Sequence, residues 1–569
     1  MTIKTVLGVA LAMGLCAPLS TVTAQTTGWG TAGPYLAARQ AASESDFKSA
    51  AEFYSEALSK NPGNFAHMEN AMVAYLALGK LEPSVALAQQ MLDGGSNSQI
   101  AHMVTVTDEL RRGDFDAVTN SPTGQTRIGP LVDGLVRAWS LMGAGNVDEG
   151  LTALDTIAED AGLREFALYH KALALGMIGE FGGAEAILSG AAEGPVTATR
   201  RGVIARAQIL SELDRNADAV ALILETFGAA PDATLASLMH RLRAGEPIPF
   251  TQATTAAQGA SEVFYTIGAA LNGEARDSYS LLYTRLAEAL DPTHIDATLL
   301  SAEYLEKLGR HDLATAAYDR VPRDAPEFVS AELGRASALN SDSRPDAAVE
   351  VLSQLAEAYP YDPNIHIRLG DTLRRIERYR EATEAYDAGL ALFEQPTNRQ
   401  WFTYFARGIT HERSNNWSAA EADFRHALTL QPDQPQVLNY LGYSLVEKNI
   451  KLDEALAMIE TAAAARPESG HIMDSLGWVL YRMGRYEDAV APMETAVELM
   501  ATDSIINDHL GDVYWAVGRY TEARFQWTRA LSFGPEEKDA DRIRRKLDIG
   551  LDAVLLEEEE NAIAVAQDG

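Results

Sequence analysis

Small side chains recur along this sequence about every 34 residues, and this recurrence restricts the possible folds more than any other feature. A second small residue usually follows twelve positions later, a large ring or aliphatic residue four after that, and a proline often closes the unit. The pattern predicts repeated pairs of short helices joined by tight turns. One much longer interval separates Ala207 from Gly268. The first of the two small positions in each unit is occupied by Ala38, Met72, Val106, Ala138, Ala172, Ala207, Gly268, Ala302, Ala336, Gly370, Gly408, Gly442, Gly477 and Gly511.

The adjacent residues Gly477 and Trp478 predict that one helix serves two surfaces. A helix turns by about 100° per residue, so Met473, Gly477 and Leu480 share one stripe. A second stripe lies about 125° away and contains Trp478. Two helices that cross closely need a small side chain at the crossing, which predicts that the first stripe packs against the partner helix. The second stripe remains free for another role, and its members are His471, Asp474, Trp478, Tyr481 and Arg482.

Three segments carry coupled leucine-glycine, aromatic, Gly-x-Tyr and alanine positions: DPNIHIRLGDTLRRIERYREATEAYDAGLAL, SGHIMDSLGWVLYRMGRYEDAVAPMETAVEL and INDHLGDVYWAVGRYTEARFQWTRAL. The chain resembles the tetratricopeptide repeat family in these positions, from about residue 31 to 537 and in about fourteen units. The resemblance implies an all-α, right-handed superhelix of helix-turn-helix repeats, a solenoid. It also implies that the second stripe faces a concave groove that binds peptides.

The sequence predicts five regions. Residues 1–24 are a signal peptide, 25–244 a degenerate N-terminal array, 245–258 a hinge, and 259–537 a C-terminal array. The hinge prediction comes from Gly245-Glu-Pro-Ile-Pro and the polar stretch after it, which end any helix. Residues 538–569 are predicted to form a capping helix and a disordered acidic tail, because Ile543, Leu547 and Leu551 share one face.

The first residues are typical of an export signal. Lys4 precedes an apolar stretch, and Val22-Thr23-Ala24 is a small-residue cleavage site. The only cysteine of the chain, Cys16, lies inside this segment and raises the alternative of a lipoprotein anchor. The residue before a lipidated cysteine is small in that family, whereas here it is Leu15, so cleavage after Ala24 is favoured. The protein is then expected in the periplasm or envelope, with membrane association only if Cys16 is lipidated.

A net charge of -33 argues against nucleic acid as a partner, because an acidic chain repels a phosphate backbone. The motif search favours a protein that is not an enzyme, with no catalytic residues, metal or cofactor. The nearest match to a serine-hydrolase motif, Gly442-Tyr-Ser-Leu-Val, lacks its last glycine, and Thr410-His-Glu-Arg lacks the second histidine of a zinc motif. An enzyme hidden in the weakly repetitive region 65–258 remains an alternative.

The predicted groove contains aromatic and basic side chains suited to holding a peptide. Two alternatives stay open: the rings pack on the next repeat, and the arginines near Arg374 pair with glutamates on neighbouring turns. The candidate binding residues are Arg374, Arg375, Phe405, Arg413, Asn439, Tyr443, Trp478, Tyr481, Arg482, Asp512 and Trp515.

The expected function is a scaffold or adaptor that binds other proteins in the bacterial envelope. The C-terminal third also resembles proteobacterial envelope tetratricopeptide lipoproteins, some of which bring periplasmic processing proteases together with cell-wall enzymes. This resemblance suggests the hypothesis that the chain delivers partners to such a protease. The alternative is a structural assembly factor for an outer-membrane or cell-wall complex.

Overall fold

The computed structural model describes residues 32–120, 127–192, 197, 199–228 and 232–558. Every regular element in these residues is a helix, and within each unit most helices that follow one another in the chain pack together. The prediction of an all-α helical repeat solenoid is therefore confirmed. The handedness of the superhelix and the number of repeats stay predictions.

The chain divides into two compact units, one ending at Asp342 and the other beginning at Ser343. Capping residues mark several helix starts in the N-terminal unit: the side chains of Asp46 and Asp232 accept hydrogen bonds from backbone N–H groups of the first turn. The helices of this unit are α1 Ala32–Ser43, α2 Phe47–Lys60, α3 Phe65–Ala77, α4 Leu81–Asp93, α5 Gln99–Arg111, α6 Phe115–Thr119, α7 Pro130–Gly143, α8 Val147–Ala158, α9 Arg164–Met177, α10 Phe181–Leu188, α11 Arg200–Glu212, α12 Asn216–Phe227, α13 Ala233–Arg243, α14 Ala256–Ala270, α15 Asp277–Leu290, α16 Ile295–Lys307, α17 His311–Tyr318 and α18 Phe328–Ser341.

Two helices of the N-terminal unit fill its interior. Helix α14 packs against α5, α7 and α9, and α15 packs against α3 and α5. Gly259 of α14 lies so close to the indole of Trp139 in α7 that a Cβ atom there would overlap the ring. The repeat helices of this unit therefore enclose other helices of the same chain.

A buried carboxylate joins several helices of this interior. Glu262 of α14 lies 2.7 Å from the guanidinium of Arg201 and 3.1 Å from Nε2 of His294, and it accepts a hydrogen bond from the Tyr169 hydroxyl at 2.8 Å. Burial acts to raise the pKa of Glu262, but Arg201 and His294 outweigh it and hold this pKa well below its usual value. The side chain is thus a paired anion inside the unit.

Residues 245–258 differ from the predicted hinge. Ile248, Phe250 and Ala253 are buried, and the ring of Phe250 lies against Gly176 of α9. The backbone N–H of Ile248 donates to Ser211 Oγ at 2.9 Å. Prolines and polar residues here form an extended stretch that packs along the unit, so the linker prediction is corrected, and the division of the chain lies at Asp342 instead.

The N-terminal unit is expected to lose stability as the pH falls from about 6.5 to about 4, because His170 is buried beside Trp139. Burial lowers the pKa of His170 to about 4, although Glu262 acts to raise it. The unfolded chain binds this proton more readily, so the stabilisation is present above pH 6.5 and is lost towards pH 4, by about 3 kcal/mol. Hydrogen exchange of α9 across this pH range measures the effect.

The matched variant is His170→Gln, whose side-chain oxygen can still accept from Nε1 of Trp139, as His170 Nδ1 does at 3.2 Å. This variant should reduce the loss of stability of the N-terminal unit at low pH. His240→Gln, at an exposed position, should leave the dependence of stability on pH unchanged. An equal slope in wild type and His170→Gln would contradict the assignment.

The C-terminal unit follows the repeat pattern closely. A Cβ atom at Gly370 would lie 2.7 Å from the ring of Tyr386, and one at Gly408 would lie 2.5 Å from Phe424. Gly477 is equally close to Met493, so the prediction that small residues mark helix crossings is confirmed here. The helices are α19 Pro345–Ala358, α20 Pro363–Arg375, α21 Tyr379–Leu390, a short 3-10 turn Asn398–Gln400, α22 Trp401–Arg413, α23 Trp417–Leu430, α24 Pro435–Glu447, α25 Leu452–Ala465, α26 Gly470–Arg482, α27 Tyr486–Leu499, α28 Ser504–Ala516, α29 Tyr520–Ser532 and α30 Glu537–Ile549.

Helix α30 packs on α29 with Ile543 buried and Leu547 half-buried, as its apolar pattern predicts. Leu551 is also buried, but it follows the end of α30 at Ile549. Lys546 of α30 is completely buried although its side chain is charged. Its ammonium lies 2.8 Å from both carboxylate oxygens of Asp508 and 2.7 Å from Asp512. Two carboxylates on α28 therefore draw this lysine inward.

Several predictions concern residues outside the described ranges. These are the signal peptide of residues 1–24, the Cys16 anchor and most of the acidic tail, residues 559–569. Among the described helices, none combines the length and the hydropathy that a membrane crossing requires.

Candidate functional site

A continuous groove lies along the first helices of successive repeats in the C-terminal unit. One depression of about 440 Å³ is lined by α20, α22, α24 and the start of α26. A second of about 410 Å³ is lined by α22, α24, α26 and α28. Both include Asn439, Tyr440 and His471, so they join at these residues. Phe402 in the first depression and Ile505 in the second are 44% and 52% exposed, which leaves apolar surface open in both.

The structure brings five of the eleven candidate residues together on the groove wall. The half-buried Asn439 and Tyr443 lie on α24, and burial raises the pKa of the Tyr443 hydroxyl, which therefore stays protonated. The side-chain oxygen of Asn439 is buried and has no hydrogen-bond partner among the described residues. The five are Arg374, Phe405, Arg413, Asn439 and Tyr443.

Trp478 packs inside the unit and does not line the groove. Only 9% exposed, its indole is stacked between Tyr481 at 4.9 Å and His509 at 4.1 Å, and its Nε1 donates to Glu447 at 2.8 Å. His509 also contacts Asp474 at 2.9 Å. For Trp478 the structure therefore shows the alternative arrangement, in which the ring packs on the next repeat. The ring of Tyr481 contacts Trp478 and Tyr486 of its own repeat.

The side chains of Asp512 and Trp515 also contact other residues of this chain. Asp512 is 1% exposed and accepts a hydrogen bond from Nε1 of Trp527 at 2.9 Å besides its contact with Lys546. The indole of Trp515 lies against Gly550 and donates to Asp552 at 3.1 Å. Residues that follow α28 in the chain thus cover this end of the predicted stripe. The angular position of a residue on its own helix does not predict such contacts.

The remaining candidate arginines lie near the groove without lining it. Arg375 is exposed at the end of α20, and the half-buried Arg482 lies 3.9 Å from Glu447. Beyond α20, Arg378 pairs with Glu381, and Arg380 lies 3.5 Å from Glu384. Pairing with neighbouring glutamates therefore explains these last two arginines.

Sequence reasoning missed groove residues that lie off the helical stripe. Tyr440 is one position beyond Asn439, and its ring packs against Phe405 and Phe424 while its edge reaches the groove. Arg466 and Asp503 belong to the turns that precede α26 and α28, where a helical angle predicts nothing. Pro467 marks the turn before α26, whereas no proline marks the turn before α28.

The chemistry that this groove offers is binding. Its wall presents aromatic rings, an amide and charged groups of both signs, which suit contacts with a polypeptide. Within the described residues, no group of three or more histidine, cysteine or acidic side chains is placed to hold a metal ion.

The stacked helix pairs and their open groove define a helical repeat protein. Residues 286–363 and 448–504 match the sequence model described as tetratricopeptide repeat. This match confirms the resemblance to the tetratricopeptide repeat superfamily in these two segments. The repeats imply a scaffold for protein–protein interactions, and proteins of this superfamily are generally not catalysts.

Two curated relatives are similar to part of the chain. A TPR repeat-containing protein of Pseudomonas aeruginosa is 27% identical over 163 residues, which is 28% of this chain and 27% of that protein. Tetratricopeptide repeat protein 13 of Homo sapiens is 26% identical over 198 residues, which is 34% of this chain and 22% of that protein. The matched part thus spans about a quarter of the length of these relatives.

Among solved structures, the APC/C hetero-tetramer Cut9-Hcn1 is similar with a TM-score of 0.37 and 15% identity, covering 91% of this chain and 96% of that one.

Proposed function

We propose that this protein binds extended segments of partner proteins in the groove of its C-terminal unit. The observation that supports this most is the continuous wall with exposed Phe402 and Ile505 and with Tyr440 and Tyr443 between them. Exposed apolar side chains gain free energy when a partner covers them, by about 25 cal/mol for each Å². Rings lose little conformational entropy on binding, so they suit such a surface.

The N-terminal unit has a different role in this proposal. Its repeat helices already pack around α14 and α15, where Trp139 and Glu262 are buried. These contacts stabilise the N-terminal unit itself. The proposal therefore places partner binding on the C-terminal unit alone.

Site-specific photocrosslinking tests the groove. A photoreactive phenylalanine analogue at Phe402 or at Ile505 is expected to crosslink to the same partner, because both side chains face one groove. The same analogue at Phe525, which is 65% exposed on α29 and outside the groove lining, is the matched control. The change Tyr443→Ala should lower crosslinking at both groove positions.

The outcome that contradicts groove binding is equal capture of the same partner at Phe525. A partner whose crosslinking at Phe402 is unaffected by Tyr443→Ala would also contradict it. Circular dichroism of each variant checks that the helices remain formed.

We further propose that the protein works in the bacterial envelope after removal of residues 1–24, where it delivers partners to a processing protease. The support is the sequence of that segment and the resemblance of the C-terminal third to envelope adaptors. Envelope fractions crosslinked through Phe402 should contain a periplasmic protease or a cell-wall enzyme. Recovery of neither in repeated captures would remove the protease-delivery role.

A further inference from the structure

The two depressions of the groove differ in charge. The first contains Arg374 and Arg466, and no carboxylate of the described residues lines it. The second contains four carboxylates against the two cations Arg413 and Lys448. The groove therefore changes from basic to acidic along its length, and the four carboxylates are those of Glu412, Glu447, Asp474 and Asp503.

Not all of these charges are equally available to a partner. Asp474 is buried against His509, Asp503 caps the first turn of α28, and Arg466 pairs with Glu468 at 2.6 Å. The half-buried Arg374 contacts the Tyr386 hydroxyl through Nε at 3.3 Å. Glu447 accepts a hydrogen bond from Trp478 and lies 3.9 Å from Arg482, but its side chain is still 47% exposed.

Among the charged side chains of the groove, the accessible pair of opposite sign is therefore Arg374 on α20 and Glu447 at the end of α24. Neighbouring packed helices lie about 8 to 10 Å apart, so two such steps separate these residues by about 20 Å. An extended chain advances about 3.3 Å per residue, so about six residues cover that span. Between them lie Phe405, Ile409 and Tyr440, which present apolar surface.

We propose that the groove selects an extended peptide segment of bipolar charge. The segment carries an acidic side chain near Arg374, an apolar centre of about five residues, and a basic side chain near Glu447. This inference rests on the proposed function, because it names the kind of segment that the same groove accepts. Charges at the rim of an interface fix register and exclude wrong partners more than they add affinity.

The apolar centre and the amide of Asn439 complete the recognition. Asn439 lies where the two depressions meet, and its buried side-chain oxygen has no partner in the described part of the chain. Rotation of this amide lets the oxygen accept from a backbone N–H of a bound segment. Backbone contacts hold segments of many sequences, so the charges at the two ends supply the selectivity.

Selection of a displayed library of random twelve-residue peptides on the full chain tests the proposal. Enriched peptides are expected to carry one acidic and one basic residue about six positions apart around apolar residues. The protein carries a net charge of -33 and attracts basic peptides everywhere, so the decisive comparison is between protein variants and not between peptides.

Arg374→Gln should remove the acidic preference, and Glu447→Gln should remove the basic preference while its amide oxygen still accepts from Trp478. Each change should weaken individual selected peptides by about two- to fivefold at low salt, and the loss should shrink at high salt. The matched controls Arg380→Gln and Glu460→Gln remove exposed charges of the same sign outside the groove lining and should change neither preference.

Each outcome decides the proposal. Peptides that depend on Phe402 and Tyr443 but show no paired charges overturn the bipolar selection and leave groove binding intact. A charge pattern that persists in both Arg374→Gln and Glu447→Gln also overturns it. Failure to enrich any peptide that depends on Phe402 overturns both the bipolar selection and the proposed function.

Discussion

Lys546→Met is expected to lower the free energy of unfolding of the C-terminal unit by about 4 kcal/mol. The lysine is fully buried, and its ammonium contacts the carboxylates of Asp508 and Asp512. Burial and the neighbouring Asp512 raise the pKa of Asp508, so the pair of acids depends on this cation. Methionine fills a similar volume but leaves two desolvated carboxylates without their closest cation, since Arg542 lies 3.6 Å from Asp512 and 4.0 Å from Asp508. Urea denaturation followed by tryptophan fluorescence measures the loss.

Two further variants separate the loss of charge from the loss of packing. Lys538→Met replaces an exposed lysine of the same helix and should change stability little. Adding Asp512→Asn to Lys546→Met should recover part of the loss, because one orphaned charge is removed while the amide oxygen still accepts from Trp527. A loss below 1 kcal/mol in Lys546→Met would show that water or Arg542 compensates fully.

Trp478→Ala is expected to destabilise the C-terminal unit by about 4 kcal/mol, in the range of truncated core aromatics. The change removes the stacked contacts with Tyr481 and His509 and the hydrogen bond to Glu447. Burial acts to lower the pKa of His509, but Asp474 together with Asp508 and Asp512 outweighs it and raises that pKa. The midpoint of urea denaturation reports the loss.

Phe402→Ala is the matched control for Trp478→Ala, because its ring is 44% exposed on the groove wall. It should cost less than about 1 kcal/mol in stability and should instead weaken partner binding. If Trp478→Ala left the denaturation midpoint unchanged and weakened binding, Trp478 would be a binding residue and the packing described for it would be wrong.

The sequence predicts the helices and their crossings well for a physical reason. Gly370 and Tyr386 of one repeat, or Gly408 and Phe424 of the next, are neighbours within a short stretch, so a local pattern specifies their contact. The same locality limits what the pattern predicts about the site. It places Trp478 on the correct stripe, but whether the ring is covered depends on His509 in the next repeat.

The larger differences come from contacts between distant residues. No repeat pattern indicates that α14 and α15 lie inside the N-terminal unit, because Gly259 meets Trp139 across more than a hundred residues. Gly and Pro in 245–258 indicate a break in helix correctly, yet such a break is compatible with a packed stretch as well as with a linker. The charge of Lys546 by itself predicts exposure, whereas its burial depends on carboxylates that lie on another helix.

The filled interior of the N-terminal unit also bears on how the chain folds. Repeat proteins ordinarily fold by propagation between neighbours. Here the guanidinium of Arg285 donates to the carbonyl oxygen of Ala77 at 3.2 Å across 208 positions, and the Tyr279 hydroxyl donates to Gln99 at 3.1 Å across 180. Closing such long loops costs conformational entropy before the stabilising contacts form, and this cost slows folding. During synthesis, the first helices must therefore wait for α15 to leave the ribosome before their native core can close.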